Sequence, residues 1–145
     1  MIKIPFYENT AFPLHNFSAH TISFQGRVYS TVEHAYHAQK FIDEEAKEAV
    51  RTALSPLAAK ELANTKFREF RISNWQEVRL AVMEALLRAK IEQHKEVRDF
   101  LLKTGNEEII EESITDQFWG VDARGVGQNH TGKILMKLRE ELKTL

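Results

Sequence analysis

Cysteine is absent from this 145-residue chain, which excludes disulfides, thiolate metal sites and a cysteine nucleophile. Proline and glycine are scarce, at three and six residues, so the chain holds no Pro-rich linker and no low-complexity tract. Neither sign of charge dominates: 20 Lys and Arg stand against 21 Asp and Glu, a formal −1, too little for the basic surface that non-specific nucleic-acid binding requires. No apolar run approaches membrane-spanning length, and the opening Met1-Ile2-Lys3-Ile4-Pro5-Phe6 lacks the apolar core of a secretory signal. A cytoplasmic protein with no membrane partner is expected. The length favours one domain over residues 1–145, with any site assembled inside that single fold.

The pattern predicts a mainly α chain with a minor β component, about six helices plus a short hairpin or small sheet. The start, through Phe6-Tyr7, Pro13 and Asn16-Phe17, reads as loop with short extended pieces. Thr21 to Phe24, then Gln25-Gly26, then Arg27 to Tyr29 reads as a hairpin. Helices follow: one opened by Ser30 or Thr31, one capped by Asp43 and running to about Arg51, and one begun by Ser55-Pro56 and ending near Ala63. The longest opens at Ser73-Asn74-Trp75, where Trp75, Val78, Val82, Ala85, Leu86 and Ala89 mark a core-facing stripe. A helix with Val97, Phe100 and Leu101 stops at Gly105, a short strand is placed at Glu108 to Glu111, and the last helix spans about His130 to Leu142.

The helix after Thr31 holds more ionisable side chains than a surface or core helix needs. Glu33, His37 and Lys40 recur at i, i+4 and i+7 and so share one stripe, on which an acid, an imidazole and an amine can converge. The bland alternative is a capping box, in which Glu33 only bonds the backbone opposite Ser30 and Lys40 is solvated. His34 and His37 beside Glu33 do not form a zinc motif: the order Glu-His-x-x-His is not His-Glu-x-x-His, and no third ligand is evident. No metal and no cofactor are expected. A serine-hydrolase reading fails for want of a Gly-x-Ser-x-Gly turn.

A second constellation runs from Asp116 to Lys133 and holds four of the six glycines. Glycines let a backbone approach a ligand closely, and a loop ending at a helix start offers unpaired N–H groups to an anion. Gly125-x-Gly127 alone is a weak phosphate motif, and a plain turn explains it equally well.

Taken in order, Phe6-Tyr7, Asn16-Phe17, Thr31-Val32-Glu33-His34, Ala38-Gln39-Lys40-Phe41, Ser55-Pro56, Asn74-Trp75, Lys90-x-Glu92-Gln93-His94, Asp116-x-x-Trp119-Gly120 and Gly127-x-Asn129 resemble the YbiA-like, or NADAR, superfamily across nearly the whole chain. The resemblance implies that family's mainly helical fold and an N-glycosidase acting on ribosyl-linked bases. Its substrates would be phosphoribosylated aminopyrimidines of early riboflavin synthesis, or ADP-ribose compounds including ADP-ribosyl guanine, with ADP-ribosylated nucleic acid as a further partner. Glu33, Trp75, Asp116 and Trp119 match the family's functional positions. Three positions depart: His15 replaces a usual Ser, a Gly-Arg pair is replaced near Ala63-Asn64, and Gln128 stands where Lys is common. The two lost basic positions weaken expected phosphate contacts.

Such a reaction passes through an oxocarbenium-like transition state, so a carboxylate must ready a water and offset positive charge at the anomeric carbon. Glu33, and secondarily Asp116, are assigned those tasks. Lys40 is assigned to holding a phosphate, pairing the carboxylate, or attacking the opened sugar as an amine. Trp119 and Trp75 offer faces for a heterocycle, although Trp75 on its apolar stripe is equally a core residue. Asn16, Phe17, His34, Gly120, Gly127 and Asn129 are the remaining candidate contacts, with Arg51 and Lys90 as cations that are as readily solvated. For His34 a structural hydrogen bond behind the site is the favoured role, and for Asn129 a helix cap is the alternative. The competing readings are an ADP-ribose or NAD-binding module without turnover, and an interaction protein that keeps only the scaffold. Oligomeric state is not legible.

Overall fold

The computed structural model describes residues 1–145. Contacts group them into two units, Ala19–Gln93 and the combination of Met1–Ser18 with His94–Leu145. The chain is mainly helical with short strands, and no helix is long and apolar enough to cross a membrane.

In the unit Ala19–Gln93, strands β2 (Ile22–Phe24) and β3 (Arg27–Tyr29) pair antiparallel. Gln25 and Gly26 turn between them with φ of +50° and +83°, the left-handed pair that a two-residue hairpin needs to match strand twist. Helices α1 (Val32–Ala38), α2 (Glu44–Arg51) and α3 (Pro56–Asn64) follow. Each begins at the expected side-chain cap: Asp43 Oδ2 accepts from Ala46 N and Ser55 Oγ from Ala58 N, each such cap stabilising by about 1 kcal/mol. Ile22, Tyr29, Val32, Ala35, Ala38, Val50, Ala59 and Ala63 are buried, and α1 packs on α2, α3 and α4 (Trp75–Gln93). The burial of α4 differs from the expected stripe. Trp75 and Leu86 are buried with Met83, Leu87, Lys90 and Ile91, whereas Val78, Val82, Ala85 and Ala89 are only half-buried. The half-buried members of the stripe are its β-branched and small residues, while the larger Trp, Met, Leu and Ile side chains turn inward.

In the other unit, β1 (Ile2–Ile4) pairs in parallel with β4 (Ile109–Glu111), Ile2 opposite Ile109. This strand was not separable from loop in the sequence, because three residues carry no period and their partner is distant in the chain. Helix α5 (Lys95–Lys103) ends at Gly105, whose φ is +64°, and α6 (His130–Lys143) lies on β4 and α5. Ile4, Leu14, Val97, Leu101, Ile109, Ile134, Leu135 and Leu138 form this core.

Candidate active site

Thr31 caps α1 through its Oγ1, which accepts from His34 N at 3.1 Å. Glu33 is therefore not needed at the cap, and the capping-box alternative is replaced by a different contact: His37 Nε2 lies 2.7 Å from Glu33 Oε1, one turn along. Both side chains are shielded, at 14% exposure for Glu33 and 4% for His37. Burial pushes the Glu33 carboxyl upward, but the His37 hydrogen bond and the nearby charges of Lys60 and Lys40 outweigh it and hold the carboxyl below its ordinary range. Burial also pulls His37 downward, more strongly than Glu33 raises it. The pair at neutral pH is accordingly a carboxylate accepting from a neutral imidazole. That leaves His37 Nδ1 as an acceptor, buried and with no partner in the protein.

Lys40, two turns from Glu33, is buried rather than solvated. Its Nζ donates to Asn64 Oδ1 at 2.9 Å and lies 5.6 Å from the Tyr36 ring centroid and 5.9 Å from that of Trp75. Burial, opposed by Glu33 and reinforced by Arg71, Lys60 and Arg79, lowers its pKa to about 8. Trp75 packs edge-on against Tyr36 with centroids 5.1 Å apart and is 3% exposed, so within this unit it seats Lys40 and fills the core. His34 has the structural role: its Nδ1 meets Thr31 Oγ1 and its Nε2 meets Ala53 O, each at 2.9 Å, so neither nitrogen is free for a ligand. Arg51 is held by Glu48 and donates to Val28 O, a surface network with Arg27 and Glu44. Its partners are therefore the protein's own carboxylate and carbonyl rather than the α1 acid. Lys90 is not solvated; it is buried in α4.

The loop Asp116–Asn129 belongs to the other unit, and most of its polar groups are consumed by its own backbone. Asp116 Oδ1 accepts from Phe118 N at 2.9 Å and Trp119 N at 2.8 Å, while the side chain itself remains exposed. Trp119 is 9% exposed and edge-packed on Phe118. The glycines approach protein rather than ligand: a Cβ on Gly120 would strike the Glu111 carbonyl, and one on Gly127 the Gly120 carbonyl. Two of the N–H groups opening α6 are also occupied, His130 N by Phe118 O and Thr131 N by Trp119 O, so neither can serve the expected anion site. Asn129 sits at the N-cap position without a side-chain cap bond. Its Oδ1 accepts from Glu111 N and its Nδ2 donates to Ile109 O, so both ends of the amide hold β4. Asn16 is buried and Phe17 half-buried beside His15, whose Nδ1 accepts from Phe17 N and whose Nε2 bonds Tyr7 O.

A model of the NADAR domain matches residues 5–143. The chain belongs to the NADAR family. Over 127 residues it is 40% identical to N-glycosidase YbiA of Escherichia coli strain K12, covering 88% of this chain and 79% of that one. The solution structure of the E. coli protein YbiA, determined by NMR, superposes with a TM-score of 0.84 at 37% identity, covering 99% of this chain and 86% of that one. A longer relative, Riboflavin biosynthesis protein VVA0006 of Vibrio vulnificus, is 37% identical over 94% of this chain, which corresponds to 36% of that protein. The mainly helical fold is therefore the NADAR fold.

Of the predicted residues, α1 and α4 bring together Glu33, His37, Lys40 and Trp75, and the loop holds Asp116 and Trp119. Sequence reasoning missed Tyr36, Asn64 and Arg71, which surround Lys40. A signal existed in the cations Lys60, Lys66, Arg68 and Arg71, dense over a dozen positions and poorly balanced by acids.

Proposed function

We propose that residues 1–145 act as one NADAR domain with N-glycosidase activity, hydrolysing the bond between ribose C1′ and the nitrogen of a base carried on a phosphoribosyl or ADP-ribosyl group. Water adds its oxygen to C1′ as the C–N bond breaks, and the proton it loses ends on the departing base. Glu33 is the general base and the negative charge opposite the oxocarbenium-like transition state, His37 fixes its orientation, and Lys40 in its ammonium form pairs with a substrate phosphate. Asp116 is the second acidic group. Its Oδ1 shapes the loop, so its charge is tested separately. Three relationships support the reading: the family, the N-glycosidase name carried by E. coli YbiA, and the riboflavin-pathway name of the longer relative.

The observation that carries the mechanism is the shielded Glu33 carboxylate, kept ionised by the His37 hydrogen bond on a helix already capped by Thr31. Incubation with aminopyrimidine ribotides and with ADP-ribosyl guanine, with separation of products, tests it. Free base is expected from one class, and binding without release of base over hours would instead identify a reader of ADP-ribose or NAD. A second mechanistic reading is favoured by the Lys40 pKa of about 8, which leaves part of the amine neutral near pH 8. In it, the ribose ring opens to leave C1′ doubly bonded to the base nitrogen, the neutral Lys40 amine adds to C1′, the base departs with a proton from that amine, and water hydrolyses the resulting lysine imine to the free sugar. Borohydride during turnover would then fix the sugar covalently on Lys40.

A further inference from the structure

Glu33 and Lys40 carry opposite charges on one stripe, roughly 10 Å apart along the axis of α1 and the turn that ends it, within the combined reach of two extended side chains. Where water is largely excluded, such charges attract strongly and ordinarily close into an ion pair. Here they do not. The Glu33 carboxyl bonds only His37 Nε2, and Lys40 Nζ bonds only Asn64 Oδ1, at 2.9 Å. Each charge is met by a neutral group. The Lys40 backbone is pinned, its N–H donating to His37 O at 3.2 Å and its carbonyl accepting from Ile72 N at 2.9 Å, so side-chain rotation alone decides where the ammonium lies. The charged groups acting on it from other elements are all cations: Lys60 on α3, Arg71 after the 3-10 turn Arg68–Phe70, and Arg79 on α4. On its own element His37 is neutral, and Glu33 is the one carboxylate among the charges that act on it.

Asn64 is the last residue of α3, its side chain is exposed, and the bond from Lys40 is the only hydrogen bond its amide makes within the protein. It therefore braces nothing except the lysine. It stands near the place where the sequence departs from the family's Gly-Arg pair, and the change matters chemically: an amide oxygen accepts from an ammonium, whereas a guanidinium has no acceptor to offer. The rings of Tyr36 and Trp75, 5.6 and 5.9 Å from Lys40 Nζ, complete the seat with their faces. We propose that Asn64 is a positioning residue that holds the Lys40 ammonium off the Glu33 carboxylate, so that base and cation stay separately available. Closed onto Lys40, the carboxylate would accept from an ammonium instead of from water, and the ammonium would be spent on an internal pair. The catalytic consequence rests on the N-glycosidase reading, while the seat of Lys40 is measurable without turnover.

The test uses the full chain and two readouts. The first is the pH titration of the Lys40 Cε resonance by NMR, assigned by its loss in Lys40→Met. Asn64→Leu removes the acceptor at nearly constant size, and the titration is expected to rise from about 8 towards or past the ordinary 10.5, because the ammonium turns to Glu33. In Glu33→Gln/Asn64→Leu that rise should vanish, since no carboxylate remains to receive it. A merely structural Asn64 predicts the opposite sign, because losing an acceptor with no replacement favours the neutral amine. The second readout is turnover. Asn64→Leu should lower kcat/KM at pH 7 by at least about tenfold, the low side of what a compromised general base costs, and should carry the limb near pH 8 upward with Lys40. A Lys40 titration that stays or falls in Asn64→Leu would overturn the proposal, as would a rise that persists in the double variant. So would unchanged turnover, or a loss of turnover with the limb still near pH 8, which would mark a plain substrate contact. If the wild type releases no base but the two titrations behave as expected, the glycosidase reading fails while the positioning of Lys40 stands.

Discussion

The α1 helix and the Asp116–Asn129 loop are equally rich in polar groups and use them in opposite ways. In the loop, Asp116 Oδ1, both ends of the Asn129 amide and the first two N–H groups of α6 bond to nearby backbone, so the segment is braced. On α1 the cap falls to Thr31, and Glu33, His37 and Lys40 are left to one another and to the neighbouring Asn64. Polar content therefore locates structure and chemistry alike, and only the identity of each hydrogen-bond partner separates them.

Substitutions can break that contrast. Glu33→Gln should lower kcat by at least about 100-fold, the scale of a general base, with the melting temperature retained. Steady-state kinetics and a thermal melt on the same sample measure both, and a fully active variant would remove the proposed mechanism. Asn129→Ala should do the reverse, costing about 2 kcal/mol of stability through two lost backbone bonds while kcat in the surviving folded fraction stays near wild type. Asp116→Asn keeps an acceptor for Phe118 N and Trp119 N and removes only charge. An effect of about tenfold on kcat, worth about 1.4 kcal/mol, is expected without a change in melting temperature. A loss as large as that of Glu33→Gln would make the loop a second chemical centre and dissolve the contrast.

Smaller effects come from pH. With Lys40 acting as a cation, kcat/KM should fall as pH rises through about 8, and Lys40→Met should lose that limb. A rise through the same pH supports the amine mechanism. Stability moves the other way there: the native state releases the Lys40 proton before the unfolded chain does, so unfolding free energy increases from pH about 8 towards the ordinary lysine value of 10.5. On the acid side, Glu33 and His37 are both held below their ordinary values. Their contribution is complete above those values and is lost as pH falls, measurable as a drop in denaturant midpoint that His37→Gln lessens.

The helices were legible because Asp43, Ser55-Pro56 and Gly105 sit where end chemistry requires them, and the hairpin because Gln25-Gly26 accepts the turn. The Glu33, His37 and Lys40 stripe was legible from spacing alone. Strand β1 was not, since its pairing with β4 joins distant segments, and the facing of α4 was not, since side-chain size outvoted periodicity. The glycines of the loop were misjudged for a related reason. Close approach was foreseen, but sequence cannot say whether the approaching group is a ligand or the Glu111 and Gly120 carbonyls. Arg71 escaped notice because the bridge to Phe41 that positions it is invisible without coordinates.

The imidazole of His34 links the first turn of α1 to the Ala53 carbonyl in the connection between α2 and α3. Such a latch stops the helix rotating or sliding unless the neighbouring connection opens with it. The spacing of acid and amine is then set when the chain folds, so little orientational freedom remains to be lost on encounter with a ligand.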